Sequence, residues 1–190
     1  VLRHVVTPPA SEPVSLAEAK DHLRLEGDDD DAYVTVLIQA ARQHAEEVCW
    51  RGMVSQTWEA VLEGFPCASE MELPGGNLGT ISSVTYVDAD GSEQTLDPDT
   101  YEADTVSVPG RLLLAYGESW PATRCQWNAV RVRYTVGWAV DDVPAPIKQA
   151  LLLLVAQMYE NRVPEITGAI VSKVDFAVNA LLSPYRLVAF

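Results

Sequence analysis

The hydrophobic period of this chain changes twice along its length, and that change limits the folds open to it. Val34, Leu37, Ile38, Ala41, Ala45, Val48 and Cys49 recur at spacings of three and four, the stripe of an amphipathic helix. From residue 55 to residue 138 the pattern becomes short runs separated by Pro, Gly and Asp. In the last of these runs Val130, Val132, Tyr134 and Val136 alternate with Arg131, Arg133 and Thr135, as in a strand with one dry and one wet face. The helical spacing then returns with Ile147, Ala150, Leu151, Leu154, Val155 and Met158. These periods predict an α+β fold: a small helical bundle of two N-terminal helices plus one long and one short C-terminal helix, with an inserted antiparallel β-domain. The expected partition is 1–54 for the N-terminal helical part, 55–140 for the β-rich insertion, and 141–190 for the C-terminal helical part that completes the bundle and carries an arm and a tail.

Local signals place the element ends. Ser15 followed three residues later by Glu18 is a capping box, with Pro13 just outside, so a helix is expected over 16–24, broken by Gly27. Asp28, Asp29, Asp30 and Asp31 precede the second helix, expected over 30–50, where unpaired amides and the macrodipole favour negative charge. Strands are expected at 57–62, 71–73, 81–87, 93–96, 111–115 and 130–136, with Asp90-Gly91 making a hairpin between the third and fourth. A third helix is expected over 147–161. Leu152 and Leu153 widen its apolar surface beyond one face, which suits burial on several sides. Residues 163–173 lack helical period and read as an arm ordered by a neighbour, and a short helix over 176–182 leads into an apolar tail.

Charge and chemistry narrow the function. The 190 residues hold 27 acidic and 13 basic side chains, a net charge of -14. Such a surface does not grip phosphate, because nucleic-acid affinity rests on Lys and Arg displacing counterions. Residues 1–64 carry a net -7, residues 65–140 a net -6, and residues 141–190 only -1, so the aliphatic last third is the part suited to packing against a partner. The apolar run at 150–156 is far short of the roughly 20 residues that cross a bilayer, and a soluble chain with no export signal and no membrane partner is expected. Cys49, Cys67 and Cys125 are odd in number and widely spaced, which predicts idle thiols in a reducing cytoplasm.

No catalytic or metal motif survives a check of spacing. Asp88-Ala89-Asp90-Gly91 begins like a calcium loop, but its glycine is fourth where the sixth position requires it, so a hairpin turn is the better reading. Gly117-Glu118-Ser119-Trp120-Pro121 has proline where a nucleophile elbow needs its second glycine. His4, His22 and His44 lack ligand spacing, and a pair of carboxylates at glycosidase distance would arise by accident among 27 acids. The expectation is a non-enzyme with no cofactor and no metal. Trp120, Trp127, Trp138, Tyr116 and Tyr134 are expected mainly as buried core. Were they exposed, they could stack on sugars, which keeps a monomeric β-rich carbohydrate-binding or adhesion module as the alternative function.

Several segments, in order along the chain, carry a likeness: P-V-S-L-A-E-A-K-D-H-L at 13–23, D-D-D-D-A at 28–32, Gln56-Thr57-Trp58, V-T-Y-V-D-A-D-G at 84–91, Y-G-E-S-W-P-A-T-R at 116–124, Tyr159-Glu160-Asn161-Arg162 and L-L-S-P-Y-R at 181–186. Together they resemble the head-tail connector (adaptor) proteins of long-tailed phages and gene-transfer agents. The resemblance implies a ring of twelve copies in the neck of a virion or phage-like particle, assembled in the host bacterial cytoplasm. That ring would lie between the portal protein and a stopper or tail-terminator protein, with DNA passing through without specific binding.

On that reading Tyr185, Leu187, Val188 and Phe190 are candidates for docking on the portal, and Ile166, Ile170 and Val171 for an inter-subunit arm. Asp28, Asp29, Asp30, Asp31, Glu46 and Glu47 are candidates for an acidic lumen. Repulsion from such a wall would act only within about 8 Å at physiological salt, so it requires carboxylates that line the bore.

Overall fold

The computed structural model describes residues 2–161 and 171–187. The chain folds into two compact units, Val1–Ala10 with Ser55–Gly137, and Ser11–Val54 with Trp138–Phe190.

In the first unit, strands β1 (Leu2–Thr7), β2 (Gln56–Leu62), β3 (Glu70–Leu73), β4 (Leu78–Val87), β5 (Glu93–Thr95), β6 (Tyr101–Asp104), β7 (Gly110–Leu114) and β8 (Val130–Val136) form two antiparallel sheets. One has the order β1-β2-β8-β4-β5 and the other β3-β7-β6. The alternation in β8 determines its central place: Val130, Val132, Tyr134 and Val136 are buried while Arg131 and Arg133 are exposed. Trp58 of β2 lies directly opposite Tyr134, and the Tyr134 hydroxyl donates to the Pro74 carbonyl at 2.8 Å, so a buried phenol keeps its hydrogen bond. Leu73 and Leu112 of the smaller sheet join the same core as Trp58, Val84 and Val132.

Close backbone approach explains two glycines of this unit. A Cβ on Gly110 would stand 2.3 Å from Leu78 Cβ, and one on Gly75, whose φ is +118°, would stand 2.7 Å from the Trp58 ring. The β4–β5 hairpin turns at 88–92 as expected. Asp88 Oδ1 accepts from the amides of Asp90 (3.0 Å) and Ser92 (2.9 Å), and Gly91 supplies φ +91°.

The second unit holds α1 (Leu16–Leu23), α2 (Asp31–Cys49), α3 (Ala145–Glu160) and α4 (Val171–Leu182). The capping box is present: the Glu18 amide donates to Ser15 Oγ at 3.2 Å, and Glu18 Oε2 accepts from the Ser15 amide at 2.7 Å. Val34, Leu37, Ile38, Ala41, Ala45 and Cys49 of α2 are buried in one core with Ile147, Ala150, Leu151, Leu154 and Val155 of α3 and Val178 and Leu182 of α4. The fully buried Ala41 and Ala45 keep the α2 surface low where α3 packs on it. Leu152 and Leu153 are half-buried against this core.

Three features differ from the sequence reading. Residues 2–7, expected within the N-terminal helical part at 1–54, instead form β1 and pair with β2 at the edge of the larger sheet, His4 opposite Glu59. β6 has no counterpart among the expected strands. The last helix begins at Val171, so 171–175 belong to α4 rather than to an arm.

Candidate functional site

The aspartate run is built around a lysine. Lys20, in the last turn of α1, reaches Asp28 at 2.9 Å and Asp31 at 2.6 Å, so one ammonium bridges the turn between the helices. Hydrogen bonds to Asp31 and Asp28 raise the Lys20 pKa, and the bond from Lys20 lowers that of Asp28. Asp30 is the N-cap residue of α2, and its carboxylate accepts from the Tyr159 hydroxyl of α3. Asp28 and Asp29 are exposed, while Asp30 and Asp31 are half-buried. The run therefore closes a loop and opens a helix, which limits how many of its charges are available to a lumen.

Glu46 and Glu47 part company. Glu47 is exposed. Glu46 is 5% exposed, with Oε2 accepting from Arg42 Nη1 at 2.7 Å and Oε1 from the Met53 amide at 3.0 Å. Arg42 also donates from Nε to Glu12 at 2.7 Å. This cluster ties the segment before α1 to α2 and to the chain that leaves it. A buried charge with its partners satisfied is a structural element, so Glu46 does not present a carboxylate to a bore.

At the other end of α2 the structure brings together residues that stand far apart in the sequence. Trp50 closes the helix in the left-handed region (φ +54°), and the next residue, Arg51, is 7% exposed with its guanidinium 4.9 Å over the Trp138 ring. Arg51 Nε has no hydrogen-bond partner, and burial pushes the guanidinium pKa down. Tyr185 meets Trp138 edge to face at 6.2 Å, and the Leu187 amide donates to the Cys49 carbonyl at 3.0 Å. Of the four expected docking residues, Tyr185 and Leu187 thus lie half-buried against their own helical unit. Val188 and Phe190 lie outside the described residues, as do Ile166 and Ile170 of the expected arm, while Val171 starts α4. The Arg51 placement has no signature in the sequence, because its ring partner Trp138 lies far along the chain and no spacing foretells their contact.

Among the described residues, no group of three or more His, Cys, Asp or Glu could hold a metal ion, and no helix is long and apolar enough to cross a membrane. Cys49 is buried, which pushes its thiol pKa up, and Cys67 and Cys125 are exposed; all three are free. The aromatic residues of the β unit divide between core and surface. Tyr134 is buried and Trp120 stacks on Phe65 at 4.8 Å, but Tyr116 and Trp127 are exposed.

Residues 13–66, from the capping-box segment through α2 and β2, match the family model described as phage gp6-like head-tail connector protein. Over the whole length the fold matches a chain in the neck of an empty gene transfer agent (GTA) particle computed with C6 symmetry. That likeness has a TM-score of 0.80 and 25% identity, and it covers 100% of this chain and 97% of the other. The chain is thus similar to the phage head-tail connector family over residues 13–66 and to a gene transfer agent neck chain in its whole fold. A chain in the virion of the native GTA particle is similar to this chain at TM-score 0.79 and 25% identity, with the same coverage. A chain in the native neck computed with C12 symmetry matches at TM-score 0.78 and 23% identity, again over 100% and 97% of the two chains. No curated protein matches the sequence. The family is one of structural neck proteins and is not known to be enzymatic.

Proposed function

We propose that this connector forms a ring in the neck of a tailed phage or phage-like particle, between the portal protein and a stopper or tail-terminator protein, and that DNA passes through the ring without specific binding. The observation that carries the reading is the likeness over the full chain to a neck chain of the GTA particle at TM-score 0.80. Necks computed with C6 and C12 symmetry support a ring of many copies, and twelve is the number we favour. The net charge of -14 supports the conduit role, since an acidic wall gives packaged DNA nothing to adhere to. We assign the C-terminal end from Tyr185 through Leu187, Val188 and Phe190 to the portal contact, and Ile166, Ile170 and Val171 to contacts between copies. Exposed Asp28, Asp29 and Glu47 are the lumen candidates that burial leaves in place. Assembly would take place in the cytoplasm of the host bacterium.

Exposed Tyr116 and Trp127 would suit a monomeric sugar binder, but the likeness to neck chains over the whole length weighs against that reading. The test is genetic. Cells lacking the chain should accumulate filled heads and separate tails, and restoring the chain should restore joined particles. Normal joining without it contradicts the proposal.

A further inference from the structure

The wet face of the larger sheet carries a surface that the neck role leaves unused. Opposite partners in a sheet share a face, so the register sets Leu2, Val61, Arg131, Thr85 and Thr95 in one row across all five strands. The next row holds His4, Glu59, Arg133 and Ser83. Trp127 stands beside this face on the turn before β8. It is 79% exposed, an unusual state for so large an aromatic, and the exposed amides of Gln126 and Asn128 flank it. Three depressions, of about 150, 440 and 340 Å³, meet at Asn128, and the Trp127 ring lines the first and the last of them.

The charges of this surface cancel. Glu59 is 5% exposed, and its carboxylate is taken up by His4 Nε2 at 3.3 Å and Arg133 Nη2 at 2.9 Å. Around that pair, Glu63 and Glu93 are matched by Arg3 and Arg131. A patch of no net formal charge, on a chain of net charge -14, attracts neither a polyanion nor a strongly basic partner. What it offers instead is a flat indole beside groups that donate and accept hydrogen bonds: the Arg131 fork, the Glu93 carboxylate, and the Gln126 and Asn128 amides, all exposed. A sugar ring calls for that combination. Its C–H face stacks on an aromatic plane, and its uncharged hydroxyls pair with donors and acceptors together.

We propose that this face is a binding site for a neutral oligosaccharide, which stacks on Trp127 and is hydrogen-bonded by Gln126, Asn128, Glu93 and Arg131. A neck subunit can carry such a site as well as contacts to its neighbours, so the site goes beyond the neck role and does not depend on it. The adjoining depressions give room for further sugar units along the row from Arg131 to Leu2. Chains of hexose or N-acetylhexosamine are the class expected, since a sulfated or uronic sugar would bring its own charge to a surface whose charges are already matched.

Glycan binding by the purified full chain tests this. The probe is an array of neutral hexose and N-acetylhexosamine oligosaccharides, with sulfated and uronic ones alongside, followed by calorimetry with any oligosaccharide retained. Retention of neutral chains is expected. Trp127→Ala is expected to weaken binding about tenfold through the lost stacking surface, and Arg131→Ala to weaken it as well, both with an unchanged melting temperature. Tyr116→Ala, at an exposed aromatic outside the three depressions, should leave affinity as it is. No neutral oligosaccharide retained, a preference for the charged ones, or affinity unchanged in Trp127→Ala overturns the proposal. Benzoylphenylalanine in place of Trp127 in purified, irradiated particles adds a second readout: no crosslink to protein is expected, and a crosslink to another copy or to a different neck protein overturns the site as a sugar site. The binding assay uses the chain alone, so its failure and a failure of the neck reading, seen as absence of the chain from particles, are told apart.

Discussion

Glu46 shows how far one residue's role depends on contacts that no spacing reveals. Its i,i+4 relation to Arg42 is visible in the sequence, but the Glu12 carboxylate that completes the cluster arrives from thirty residues away, and the Met53 amide from the chain beyond the helix. Glu46 and Glu47 therefore read alike as sequence and differ in burial. Glu46→Ala should lower unfolding stability by about 3 kcal/mol, because it leaves the buried Arg42 with one partner lost and the Met53 amide unpaired. Asp29→Asn, at an exposed position, should stay within about 0.5 kcal/mol. Chemical denaturation of the two variants checks this, and equal losses would contradict the structural role of Glu46. A second residue makes a pH prediction. Hydrogen bonds from the Gln94 side chain and then from the Ser92 amide hold the Asp88 pKa below its ordinary value. Because the folded pKa is the lower one, the stabilisation is present above the ordinary carboxylate range and is lost as pH falls through the depressed value. Asp88→Asn should remove that part of the acid sensitivity. A melting profile against pH that is identical for the natural chain and the variant would contradict it.

Among the elements, β8, α2 and α3 are legible in the sequence because burial imposes periods of 2 and 3.6 on their side chains, and the capping box marks the start of α1. β1 and β6 are not. In β1 (Leu-Arg-His-Val-Val-Thr) every residue but Arg3 is exposed, so no alternation is imposed on it and its pairing is set by β2. β6 (Tyr-Glu-Ala-Asp) has no fully buried side chain, and its strand form comes from pairing with β7. The start of α4 is hidden for a related reason: the Gly and Pro just upstream of 171–175 obscure where an apolar helical period begins. The candidate assembly residues are legible as types, acidic or apolar, but which of them are covered by their own chain is not. Packing between elements also sets the cost of small changes. Gly110→Ala should destabilise by about 1–3 kcal/mol, since its Cβ would meet the Leu78 side chain at 2.3 Å where β7 opens. Ser15→Ala should cost about 1 kcal/mol through the lost cap. Thermal melts check both, and a Gly110→Ala variant as stable as the natural chain would show that the two sheets do not pack as described.

For the whole molecule, the proposed ring role implies that this acidic chain with an apolar C-terminal sequence acts only in the company of other copies. Changing the exposed Asp28 and Asp29 together to asparagine should alter folding little, since the Asp28 pair with Lys20 lies at the surface, where solvent screens it. If these residues line the bore, the same change should slow DNA ejection from particles, measured as the rate of genome release; an unchanged rate removes them from the lumen. Removing residues 187–190 should leave the helical core intact and lower the yield of joined heads and tails, and a normal yield would contradict the portal contact. The central claim is that this chain is a ring component of a particle neck. Symmetry-averaged electron cryomicroscopy of purified particles tests it most directly: the account predicts a ring of twelve copies of this two-unit fold immediately below the portal, and a neck in which no density fits the chain would contradict it.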